Sequence, residues 1–171
     1  MDDTGWLLSD IDLTTHSKLY EIEEEEIKPI QLYGLTTYPD GGLRTSVSSL
    51  SKFFVALLNK GKYKGARILK EASADEMLRF QYTPANKPEN IDLENPNKNC
   101  GIFWETKRDV TLMGHSGSDP GVKADMLSDL PKEVGVIIFM NTDLSGLADY
   151  YFPIYDELWR YGKILKDKTE K

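Results

Sequence analysis

Cysteine is almost absent from this sequence and histidine nearly so. The single Cys100 excludes an internal disulfide, and one Cys with two His provides no ligand set at zinc spacing. Metal chemistry is therefore not expected, and no cofactor motif stands out. Long apolar runs are missing too. The longest, Val134 to Met140, is far too short to span a bilayer, and Met1-Asp2-Asp3-Thr4 has no signal-peptide character. Clustered basic residues are also lacking: the formal charge is -7 and the Lys and Arg residues are scattered, which argues against nucleic acid as a partner.

What is present is the mix of a soluble globular protein, 40% hydrophobic and 29% charged over 171 residues, enough for a single domain with a continuous core. Residues 1–30 alternate short apolar clusters with polar stretches, and the acidic run Glu21 to Glu26 reads as a solvated loop. Tyr38-Pro39-Asp40-Gly41-Gly42-Leu43 is a turn signal. A helix follows, capped by Thr45 or Ser46, with Val47, Leu50, Phe54, Leu57 and Leu58 on one face and Gly61 as its stop. The Ser73 and Glu76 spacing of a capping box starts a second helix carrying Met77, Leu78 and Phe80. Thr83 to Asn99, with Pro84, Pro88 and Pro96, reads as a long surface loop.

Beyond it the period changes to that of strands. Gly101 to Lys107, Val110 to Ser116, Val122 to Asp129 and Val134 to Asn141 predict three or four antiparallel strands, with turns at Asp119-Pro120-Gly121 and Leu130-Pro131-Lys132-Glu133. The last is apolar on both faces and should lie centrally. From Ala148 to about Lys166 a helix returns, and Pro153 places its regular start near Phe152. The class is α+β: an N-terminal helical segment (1–99, helices and loops), then an antiparallel β-sheet with a C-terminal helix packed on it (100–171).

Gly114-His115-Ser116-Gly117-Ser118 is the stretch richest in chemistry. At the end of a strand and between glycines, His115 can donate a hydrogen bond or a proton and Ser116 can bind a carboxylate or carbonyl. The amide after Gly117 can point into a cleft. Taken alone, such a histidine is more often a structural one satisfied by a neighbouring backbone group. Trp104 and Phe103 alternate along a strand as core and cleft wall, and either is a candidate to line a substrate groove. His16 reads as a surface residue.

The ordered set, from Thr4-Gly5-Trp6 through Tyr38 to Leu43, the helix after it, Gly114 to Gly117, Asp119-Pro120-Gly121-Val122 and the apolar strand ending in Asn141, resembles the C-terminal half of the class C β-lactamase-like penicillin-recognising serine hydrolases. That resemblance implies an incomplete β-lactamase/transpeptidase-like fold and, for a full-length parent, hydrolysis of an amide, ester or lactam through an acyl-enzyme. It puts His115, Ser116 and Gly117 on the family's Lys/His-(Thr/Ser)-Gly strand and makes the Ser118 amide one of two oxyanion donors. His115 in place of lysine looks more like the D,D-peptidase and esterase branches. It further implies an envelope, periplasmic or secreted location for the parent, and no cofactor.

The family's Ser-x-x-Lys and Tyr-x-Asn elements are not convincingly present. Ser49-Leu50-Ser51-Lys52 matches the first, but it falls within the helix after the glycine turn, where Ser48, Ser49, Ser51 and Lys52 read as its solvated face. No Tyr-x-Asn separates it from His115, and neither Tyr33 nor Tyr38 qualifies. The chain by itself is therefore expected to be inactive, and the alternative is a non-catalytic binding or structural module on the same fold. The resemblance also implies that Val134 to Asn141 lies beside strands absent from this chain. With no Lys or Pro from Val134 to Met140, that edge predicts a homodimer or aggregation.

Overall fold

The acidic stretch near the N-terminus is a hairpin rather than a loop. In the computed structural model, which describes all residues except Asp2, Glu25, 94–97, Asp109, 144–145 and 170–171, β1 (Leu19–Glu23) pairs antiparallel with β2 (Glu26–Ile30). Ile22 opposes Ile27, and Lys28 sits 3.1 Å from the Glu23 carboxylate, so one apolar pair and one cation offset the crowding of acids. The loop from Thr83 to Asn99 holds no helix or strand among its described residues; Pro96 and Glu25 lie outside them.

Tyr38-Pro39-Asp40-Gly41 forms the one-turn helix α1 (Tyr38–Gly41). The glycines there do not supply left-handed backbone, since Gly42 has φ -84. Gly42 is needed because a Cβ would lie 2.8 Å from the Tyr38 carbonyl oxygen. Helix α2 (Val47–Leu58) starts as its sequence predicts, with the Ser46 hydroxyl accepting the Ser49 amide. Its faces differ from the expectation: Val47 is exposed, whereas Ser49 is buried with its hydroxyl donating to the Asp3 carboxylate. Past the helix, Gly61 (φ +80) turns the chain into the short pair β3 (Lys62–Tyr63) and β4 (Ala66–Arg67).

Helix α3 (Glu71–Leu78) starts two residues before Ser73. The Lys70 carbonyl already accepts the Ser73 and Ala74 amides, and Glu76 pairs with Arg79, so no capping box forms. Phe80 lies past the helix end.

The main sheet has the order β5 (Glu105–Lys107), β6 (Leu112–Asp119), β7 (Val122–Asp129), β8 (Gly135–Met140). The Asp119-Pro120-Gly121 turn holds Gly121 at φ +73, and the Asp129 carboxylate accepts the Glu133 and Val134 amides in the next turn. Contrary to the sequence expectation, β8 ends the sheet order instead of lying inside it. Val136 and Ile138 are buried on one face, while Phe139 on the other is exposed. A strand can be apolar on both faces and still be an edge. The Tyr20 amide bonds the Asn141 carbonyl beyond its end.

Helix α4 (Ala148–Thr169) keeps Pro153 inside it and starts at Ala148, one turn earlier than the proline predicts. The turn before the proline is anchored: the Leu147 carbonyl accepts the Tyr150 and Tyr151 amides, and buried Tyr151 donates its hydroxyl to Asp125 on β7. That burial and bonding offset the hydrogen bond Pro153 cannot make.

Compact packing falls into two units. One comprises Met1–Lys52, Ser116–Asp125 and Ile137–Leu158; the other comprises Phe53–His115, Met126–Val136 and Trp159–Lys171. In the first, Tyr151 stacks on Tyr155, and Gly121 leaves room for Leu19 and Ile30. In the second, Phe54, Leu57, Ala74, Leu78, Trp104, Met113, Leu127 and Val134 form the core, and Gly135 and Gly162 admit Phe54 and Val134 closely. Among the described residues no helix is long and apolar enough to cross a membrane.

Candidate functional site

His115 lies in mid-strand rather than at a strand end, because β6 continues through Gly117 to Asp119. Alternation along β6 puts His115 and Gly117 on one face and Ser116 and Ser118 on the other. All four are exposed. The two side chains expected to act together, His115 and Ser116, therefore project from opposite faces of their strand.

The backbone of β6 runs on past its pairing with β5. The Thr106 amide bonds back to the Asn99 carbonyl and the Trp104 carbonyl accepts from Gly101, so these groups of the β5 segment point away from β6. The alternate residues Glu105 and Lys107 point toward it and meet Gly114 and Leu112. By the same period, the N–H and C=O of Ser116 and Ser118 point to the β5 edge, yet the β5 pairing stops at Gly114. Among the described residues no strand takes its place. The Ser118 amide thus faces the side of β6 that β5 leaves uncovered.

The two glycines differ in role. A Cβ at Gly114 would collide with the Met126 carbonyl oxygen and lie 2.9 Å from Leu127 Cα, so its absence serves close packing against β7. A Cβ at Gly117 would meet nothing within 4 Å.

Around His115 the geometry is specific. Its ring packs edge-on against buried Trp104 with centroids 5.1 Å apart, and Trp104 stacks on Phe54 at 6.2 Å. The residue keeps exposed surface, but this apolar contact removes part of the ring from water and draws the imidazole below its usual range. Lys107 acts in the same direction, while Glu105 and the Phe103 carbonyl oppose it. The net shift is downward, so at neutral pH His115 is uncharged. A neutral imidazole keeps one N–H donor and one acceptor nitrogen. Glu105 is itself held below the usual carboxylate range by Lys107, 2.6 Å away.

Tyr33 is tied up by donating to the Pro120 carbonyl at 2.8 Å, and burial raises its pKa, so it stays a neutral donor. Ser49, 3% exposed and bound to Asp3, is not positioned as a nucleophile. Phe103 and Trp104 do not alternate along a strand as their sequence suggests, because β5 starts only at Glu105: Phe103 is 84% exposed on a left-handed backbone with φ 61, and Trp104 is buried. An open cavity of about 390 Å³, lined by Leu78, Phe80, Met113 and Lys132 among others, does not include His115. Among the described residues no group of His, Cys, Asp and Glu could hold a metal ion. Neither a protein-family model nor a curated protein matches the chain.

Proposed function

We propose that this chain supplies the substrate-binding strand of a serine acyl hydrolase of the β-lactamase, D,D-peptidase and esterase kind. In this reading the nucleophile and its proton-handling partners come from a Ser-x-x-Lys and a Tyr-x-Asn element outside the chain. The observation that carries it is the β6 edge, where the N–H and C=O of Ser116 and Ser118 extend past the end of β5. An extended peptide or acyl amide adds there as a short strand, its carbonyl oxygen accepting from the Ser118 amide. His115, neutral and accepting, bonds a substrate N–H or O–H.

The test is a titration of the ¹⁵N-labelled chain with N-acetyl-D-Ala-D-Ala, together with intact-mass analysis after exposure to benzylpenicillin. Amide shifts concentrated at Ser116 and Ser118, with no covalent adduct, are the expected result. Stoichiometric acylation, lost on Ser49→Ala, would show the nucleophile to be within the chain and overturn the assignment. Absence of amide shifts would count against the strand edge as a binding surface.

The second reading, a non-catalytic binding module, shares the same edge. Ser-x-x-Lys and Tyr-x-Asn elements preceding residue 1 in the reading frame favour the enzyme, and their absence favours the module.

Self-association through Val134 to Asn141 belongs to the same proposal. It is supported by the place of β8 at the end of the sheet order and by exposed Phe139. Antiparallel pairing of β8 with a second copy gives a symmetric dimer at micromolar concentration in sedimentation, and Phe139→Lys returns it to monomer. A monomeric wild type would end this part of the proposal.

A further inference from the structure

The open cavity of about 390 Å³ at the end of α3 combines an apolar depth with charged residues. Leu78 and Met113 are buried in its lining, and buried Ser128 donates its hydroxyl to the Met113 carbonyl at 3.4 Å. Phe80 and Leu130 extend the apolar lining toward solvent. Three charged residues complete it, and they are not equivalent. Arg79 is paired, holding the Glu76 carboxylate through bonds of 3.0 and 2.6 Å. Asp129 serves its own turn, where its carboxylate accepts the Glu133 and Val134 amides. Lys132 brings a charge that no acid answers among the described residues, since the adjacent Glu133 is taken by Lys166. The chain as a whole carries -7, so two cations and one carboxylate around this cavity reverse its charge locally.

We infer that this cavity binds a small amphipathic monocarboxylate of the medium-chain fatty acid kind, its apolar body against Leu78, Phe80 and Met113 and its carboxylate on the Lys132 ammonium. The dimensions suit such a ligand, because small-molecule sites run from about 300 to 1,000 Å³ and set a few polar groups in apolar walls. The charge pattern selects the end group. A neutral body gains burial alone, a cationic one meets Arg79 and Lys132, and a multiply charged anion is repelled at longer range by the chain's own net charge. The cavity includes none of His115, Ser116 and Ser118, so its ligand is independent of the acyl-substrate reading.

The test titrates the chain, labelled with ¹³C at its methionine methyls, with octanoate below its micelle concentration and with butyrate and octanol as comparisons. Octanoate should shift the Met113 methyl saturably and leave Met140, which does not line the cavity, in place. Butyrate should bind about tenfold more weakly for want of buried methylenes, and octanol about fourfold more weakly for want of the charge pair. Lys132→Gln and Lys132→Gly should both bring octanoate to the level of octanol and leave octanol unchanged. The glycine variant guards against misfolding: Lys132 has φ 65, which glycine adopts without strain, so the melting temperature should not fall. No saturable shift at Met113, or an equal shift at Met140, overturns the site. Octanol as tight as octanoate, or octanoate binding undiminished in either Lys132 variant, overturns the inference by leaving the carboxylate no role.

Discussion

Gly114→Ala is expected to destabilise the chain by about 3 kcal/mol, whereas Gly117→Ala on the same strand should change stability by no more than about 0.5 kcal/mol. The contrast follows from what each missing Cβ would meet. At Gly114 the obstacle is backbone, the Met126 carbonyl and Leu127 Cα, which cannot rotate away as a flexible side chain would. Relief requires β6 and β7 to separate where Met113 and Leu127 are both buried. At Gly117 the added methyl stands in open space. Urea denaturation of the two variants reads the difference directly. Equal losses would mean that Gly117 is also a packing residue, and the open edge beyond Gly114 would lose its support.

The second large effect is expected at a buried ion pair. Lys123 and Asp125 lie on one face of β7, 3.0 Å apart, with side chains 12% and 9% exposed, and Tyr151 donates to the same carboxylate. Lys123→Met should cost about 3–5 kcal/mol, because it leaves a charge in the core with a single neutral donor. Adding Asp125→Asn to that variant should recover most of the loss, since an amide still accepts from Tyr151 and carries no charge. Equilibrium unfolding of the wild type and the two variants forms the measurement. A Lys123→Met variant as stable as wild type would mean the carboxylate finds water, and α4 would lack the anchor that holds the turn before Pro153.

Elements bounded by their own punctuation were legible in the sequence. Strand β7 begins after Pro120-Gly121 and ends at Asp129, as read from turn chemistry alone, and α2 begins where Ser46 caps it. The antiparallel sheet and the C-terminal helix followed from the change of period after residue 100. What stayed hidden depends on distant partners. Ser49 reads as solvent-facing until Asp3, 46 residues earlier, takes its hydroxyl. The β1–β2 hairpin is masked because its pairing needs Ile22 to find Ile27 across a run of acids.

The candidate site shows the same division. The residue types at Gly114 to Ser118 mark the stretch, but the free edge at Ser116 and Ser118 exists only because β5 starts no earlier than Glu105, opposite Gly114. No local pattern encodes where a neighbouring strand ends. The left-handed backbone at Phe103 is likewise imposed by the Met77 carbonyl, which belongs to a helix earlier in the chain.

The stacking of Trp104 between Phe54 and His115 has an optical consequence. Of the chain's three tryptophans, Trp6 is 41% exposed whereas Trp104 is 3% exposed, so the buried indole emits to the blue of the exposed one. An imidazolium in edge contact with an excited indole quenches it by accepting charge, and a neutral imidazole does so far less. With ring centroids 5.1 Å apart, blue emission from Trp104 is bright while His115 is uncharged and dims as acid protonates it. The molecule thereby carries a built-in gauge of the charge on its candidate site, readable without a label. A substrate that bonds the free imidazole nitrogen shifts the midpoint of that acid quenching to lower pH if it donates to the nitrogen, because protonation must first displace the bond.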